Sequence, residues 1–177
     1  MIAKTFEKFN YTTLIICVLL LFGISIYYST LEIKWSFFES QILNVLVIFS
    51  SFLLTCYSID TVTRQLTIER SGRNAYHLIT YPLVILSYPI ESVDLRFIIS
   101  SALIFFAWRI FRIFTETTRD EQRIKRLFDL ALLLSLSVLL ILENIGLFIF
   151  VAVLLFMTNI KKDIRHFVLL IVTPLIF

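Results

Sequence analysis

The sequence predicts an all-α protein built as a polytopic transmembrane helix bundle, with about six full spans, a partial seventh and a cytoplasmic N-terminus. Three observations carry that prediction. Hydrophobic residues make up 59% of the 177-residue chain and charged residues only 16%, with a mean hydropathy of +0.91, so too little polar surface exists to coat a water-facing exterior. The charges are gathered into short clusters between apolar runs, several of them near the length that a helix needs to cross a bilayer. The Lys and Arg residues fall on alternate connections, as positive-inside sorting demands.

The first span, 11–29, follows Lys4 and Lys8. It is longer than a signal-peptide core, and "YYSTLEIKW" after it lacks a small-x-small cleavage site, so it reads as a retained helix. "TLEIKWSFFE" separates it from the second span, 40–59. The polar and basic "DTVTRQLTIERSGRN" leads to a third, 76–90, which is short and carries Pro82 and Pro89. Each proline weakens backbone bonding and favours a kink or an early end. After "ESVDLR" the fourth span covers 97–114 and runs into the most charged segment, "TETTRDEQRIKR". The stretch "LLSLSVLLILENIGLFIFVAVLLF" supplies the fifth and sixth spans, 127–142 and 145–160, around Glu143 and Asn144. Finally "KKDIRH" precedes 167–177, which as helix covers about half a bilayer. The chain is therefore expected to be a fragment of a longer membrane protein, with one transmembrane domain over 1–177.

With the N-terminus in the cytoplasm, all of the 16 basic residues except Lys34 and Arg96 fall on the cytoplasmic side. Moving "ENIG" inward would put basic connections on the wrong side. Glu143 and Asn144 are thus expected at an outward-facing hairpin tip, with Gly146 supplying turn freedom. Arms of about 16 residues reach only ~24 Å against a ~30 Å hydrocarbon core. The tip is then expected slightly below the outer surface, where an ionised Glu143 needs water or a partner. Several short helices on that side predict a polar depression there, or burial against another protein.

The sequence holds no P-loop, G-x-G-x-x-G, H-E-x-x-H or G-x-S-x-G, so no cofactor is indicated. With only His77 and His166, both near span boundaries, a histidine-rich metal site is not available. Cys17 and Cys56 sit inside apolar runs and read as small packing residues. Candidate catalytic residues are the outer carboxylates Glu32, Glu39 and Glu143, beside Glu91 and Asp94, since carboxylates in a polar depression can act as a general base or coordinate a divalent ion; solvated loop residues are the alternative. On the inner side "WRIFRIF" places Arg109 and Arg112 on one helix face, and Arg126 follows in "RDEQRIKRLFD". These three are candidates for holding a lipid phosphate, with ordinary snorkelling as the alternative. Ser50–Ser51 and Ser100–Ser101 are expected to hydrogen-bond between helices. Gly23, Gly72 and Gly146 form no G-x-x-x-G, and the first, second and fourth spans carry no central charge, which argues against an ion-coupled transporter.

Across "RSGRNAYHLITYPLVILSYPIES", "LIFFAWRIFRIF", "RLFDLALLLSLSVLLILENIGLFIFVAVLLF" and "DIRHFVLLIVTPLIF" the chain resembles an uncharacterised family of polytopic inner-membrane proteins from Bacteroidota. The shared order is a polar-basic loop, a helix ending in Pro, a helix ending in paired basic residues, the Phe128–Asp129 step, and a hairpin leading to a basic turn. That resemblance implies a bacterial inner membrane and chains longer than this one. The layout also resembles the membrane half of GT-C glycosyltransferases, which use polyprenyl-phosphate sugars and carry an acidic catalytic residue in the first outer loop. Glu32 and Glu39 occupy that loop here, which is only about ten residues long and holds no adjacent acidic pair.

Two function classes follow. The first is an accessory or scaffold subunit of a larger envelope complex, with the lipid bilayer and membrane proteins as partners and no nucleic acid. The second is a GT-C-like transferase or lipid-handling enzyme, with an anionic or polyprenyl-phosphate lipid as partner.

Overall fold

The structure is a computed structural model describing residues 11–35, 39–67, 76–87, 92–157, 168 and 170–173. Its elements are α1 (Tyr11–Thr30), β1 (Glu32–Trp35), α2 (Gln41–Thr67), α3 (Tyr76–Ser87), β2 (Ser92–Asp94), α4 (Leu95–Glu116), α5 (Asp120–Leu140), a 3-10 turn (Leu142–Ile145) and α6 (Gly146–Met157). The fold is all-α apart from the pairing of two short strands. Among the described residues three helical stretches are long and apolar enough to cross a membrane: Tyr11–Thr30, Gln41–Thr63 and Leu95–Glu116. Shorter apolar helices cover Leu78–Ser87 and Leu142–Leu155.

Burial is distributed as a bilayer requires. On α1 the large side chains of Leu14, Ile15, Leu19, Phe22 and Ile26 are exposed, while Thr13, Ser25 and Ser29 are buried. On α2 the buried positions include Asn44, Ser51, Thr55 and Ser58. In water such an exterior would drive aggregation; in lipid, small and polar residues between helices and large apolar ones outside are the stable arrangement. The buried hydroxyls are satisfied without solvent, since Ser25 donates to the Leu21 carbonyl, Thr55 to Ser51 and Ser58 to Leu54.

The chain forms two compact units, Met1–Ile99 and Ser100–Phe177, with the boundary inside α4. In the first, α1 packs on α2 and α3, and α2 packs on α3. Cys17, Leu21, Ile24 and Tyr28 form one stripe on α1, which meets Ile48, Phe52 and Cys56 of α2 and Leu78 of α3. Edge-to-face rings link Tyr28 to Phe52 and Phe52 to Tyr81 at 5.7 and 6.4 Å. β1 and β2 run parallel, with Glu32 opposite Ser92 and Trp35 opposite Asp94. Parallel strands need a long crossover, and α2 with α3 provides it. The two connections therefore meet at one end of the unit. Nothing in the amino-acid pattern of "EIKW" and "SVD" announces this pairing.

In the second unit α5, the 3-10 turn and α6 form a hairpin, and Ala107, Phe111 and Phe114 of α4 join Leu127, Leu130, Leu134, Val151 and Leu155 in its core.

Two helices run past the expected spans. α2 continues from Asp60 to Thr67, because Thr61 and Thr63 donate back to carbonyls of Tyr57, Ser58 and Ile59 and no helix breaker comes before Gly72. The charged "DEQRIKR" is the start of α5, not a connection; Asp120 and Glu121 lie in its first turn, where the helix dipole favours anions. Only 117–119 separate it from α4. Of α3 and α6, 12 residues each lie among the described residues.

Candidate functional site

The interruption at Glu143 and Asn144 resolves into two side chains doing different things. α5 ends at Leu140, Ile141 turns extended (φ −142°, ψ 107°), and the 3-10 turn redirects the chain into α6. Glu143 is left exposed, whereas the Asn144 side chain turns inward. Its Nδ2 donates to Ser100 Oγ at 2.7 Å, to Ser137 Oγ at 2.8 Å and, at 3.3 Å, to the Ser137 carbonyl. The two hydroxyls are themselves 2.9 Å apart, and Ser100 and Ser137 are almost fully buried. An amide and two hydroxyls thus form a closed, uncharged joint between α4, the end of α5 and the turn. Ser100 bears out the expectation of interhelical bonding, while Ser50 donates to Val47 within its own helix. Gly146 does not supply the turn: it is right-handed helical (φ −59°, ψ −24°), and the extended Ile141 makes the break. That expectation is corrected, because the direction change occurs five residues earlier.

The first unit holds a second joint. A helical residue's N–H normally bonds the carbonyl four positions back, and Pro82 has none to give to Leu78. The Cys17 thiol takes that role, donating from α1 to the Leu78 carbonyl at 3.2 Å. Further along α3, Tyr28 Oη donates to the Ile85 carbonyl at 3.2 Å. Cys17 Sγ also lies 3.6 Å from Cys56 Sγ, both thiols being free and buried. The cysteines that the sequence presents as separate packing residues are therefore one contact, which no local spacing encodes because 39 positions separate them.

The acidic candidates lie at the ends of helices. Glu32 belongs to β1 by its backbone, its side chain lying outside the described residues; Glu39 is exposed ahead of α2. Glu143 belongs to the second unit, so Glu32 and Glu39 share a loop that Glu143 does not. Glu91 and the His77 and His166 side chains lie outside the described residues. Asp94 has a structural role: Oδ1 accepts the Arg96 backbone N–H at 2.9 Å, capping α4, and the carboxylate receives the Arg96 guanidinium at 2.6 to 3.2 Å. Among the described residues no group of three or more His, Cys, Asp and Glu could hold a metal ion.

The basic candidates lie in the second unit. Arg109 places its guanidinium over the Phe106 ring, 5.5 Å from the centroid, and Arg112 pairs with Glu116 at 3.3 Å one turn further on. Arg126 is exposed on α5. Arg123, which sequence reading did not single out, donates to the Thr117 carbonyl and reaches Asp120 at 3.5 Å, tying the short 117–119 connection.

No protein family, curated protein or solved structure matches this sequence.

Proposed function

We propose that this chain is a multi-pass subunit of a larger complex in a bacterial inner membrane, acting as a scaffold with its N-terminus in the cytoplasm. The observation that carries this reading is the large apolar surface that α3 and α6 leave uncovered. Their outer faces are apolar and available: Leu83 and Val84 on α3, Ile149 and Val153 on α6, are all about half exposed or more. Many of the described polar side chains are engaged in holding helices, at Asn144, Cys17, Tyr28 and Asp94. The pairing of β1 with β2 supports one side for the 32–35 and 92–94 segments, in agreement with the charge asymmetry.

Purification in mild detergent followed by native mass spectrometry tests this reading. Stoichiometric membrane-protein partners are expected; a stable, monodisperse lone monomer overturns the subunit role. The GT-C-like alternative draws on Glu32 lying in a strand paired with the one that ends at Asp94. It requires that Glu32→Gln, Glu39→Gln and Glu143→Gln together abolish the cellular phenotype of the gene, and full complementation by that triple variant removes it.

A further inference from the structure

The second unit contains a half-open apolar cavity of about 300 Å³ between α4, α5 and α6. Its wall is a run of stacked rings: Trp108 lies 5.8 Å from Phe111 and 6.3 Å from Phe150, with interplanar angles of 29° and 22°. Ala107 and Leu134 line its buried side. Phe105, Trp108 and Phe150 are each 41 to 50% exposed, so the mouth opens on the lipid-facing surface. The volume is at the lower limit for small-molecule sites, which suits a single hydrocarbon chain and not a whole lipid.

What selects the occupant is the charge that follows the cavity along the chain. From Arg109 to Arg126 there are six basic residues, Arg109, Arg112, Arg119, Arg123, Lys125 and Arg126, against three acidic, Glu116, Asp120 and Glu121. Glu116 and Asp120 pair with Arg112 and Arg123, and Arg119, Lys125 and Arg126 are exposed. Arg112 stands one turn beyond Trp108 on the same helix. An apolar slot whose end carries a basic surplus matches the two parts of an anionic lipid, chain and phosphate.

We propose that this cavity is a binding site for one chain of an anionic phospholipid, with the phosphate held by the basic residues at the α4–α5 end. The proposal rests on the membrane location and not on the scaffold role.

The experiment uses the intrinsic fluorescence of Trp108. Trp35→Phe leaves Trp108 as the sole tryptophan of the full chain, reconstituted in vesicles of brominated-acyl phosphatidylglycerol or brominated-acyl phosphatidylcholine. Brominated phosphatidylglycerol is expected to quench more strongly, with relative affinity about fivefold higher for each basic residue engaged. Adding Arg112→Gln and Arg126→Gln should remove the preference while both lipids still quench. Ala107→Leu, which fills the buried side, should weaken quenching by both, and Arg126→Gln alone, at an exposed position, gives a readout independent of packing. Equal quenching by the two lipids in the unsubstituted site overturns headgroup recognition. Absence of quenching by either shows the slot covered by protein, whether a second copy or a partner, and overturns the lipid site altogether.

Discussion

Glu143 and Asn144 are neighbours with opposite fates, and substitution should separate them. Asn144→Leu removes the donor to both the Ser100 and Ser137 hydroxyls, which keep only their bond to each other, and is expected to destabilise the protein by about 1–2 kcal/mol, the range of interhelical hydrogen bonds in membranes. Glu143→Gln, at an exposed position, should change stability by less than ~0.5 kcal/mol. Equilibrium unfolding in mixed micelles of rising anionic detergent fraction measures both. At Gly146, a Cβ would meet nothing within 4 Å and the backbone is already helical, so Gly146→Ala is expected to stabilise by about 0.4–1 kcal/mol. A loss of stability there would show that this position needs glycine after all. The polar interruption was legible in the sequence; which of its two residues turns inward was not, since that depends on where α5 ends and how far the 3-10 turn rotates the chain.

The helix α3 depends on its neighbour in a way that a coupled pair of substitutions exposes. Cys17→Ala removes the donor to the Leu78 carbonyl and is expected to cost about 1 kcal/mol, while Cys17→Ser keeps a donor and should cost less. In a Pro82→Ala background residue 82 regains an N–H for Leu78, so the cost of Cys17→Ala should fall to a few tenths of a kcal/mol. Equal costs in both backgrounds would mean that the thiol acts by packing alone. The end of α1 and the limits of α4 were readable from hydropathy. The extensions of α2 and α5 were not, because charged and hydroxyl-bearing residues that exclude a segment from the hydrocarbon do not exclude it from a helix. The β1–β2 pairing was equally hidden, its strands being four and three residues long and 60 positions apart at the Glu32–Ser92 partners.

Topology is a property of the whole chain, and labelling can establish it. With Cys17 and Cys56 replaced by Ser, Glu143→Cys is expected to react with a membrane-impermeant maleimide from the outer side of intact spheroplasts. Arg126→Cys should react only after the membrane is opened. The reverse pattern would invert the chain and with it the assignment of every basic connection.

Membrane character and the approximate positions of the spans follow from sums along the chain, because the transfer of a helix into lipid is nearly additive over its residues. Charge sorting is likewise a count per connection. The joints are of another kind. Cys17 reaches Leu78 across 61 positions, and Asn144 reaches Ser100 across 44. Whether such side chains meet depends on the rotation of each helix about its axis and on which neighbour lies against it, so only the packed structure shows that a thiol replaces a proline's missing N–H and that one amide closes a helical hairpin.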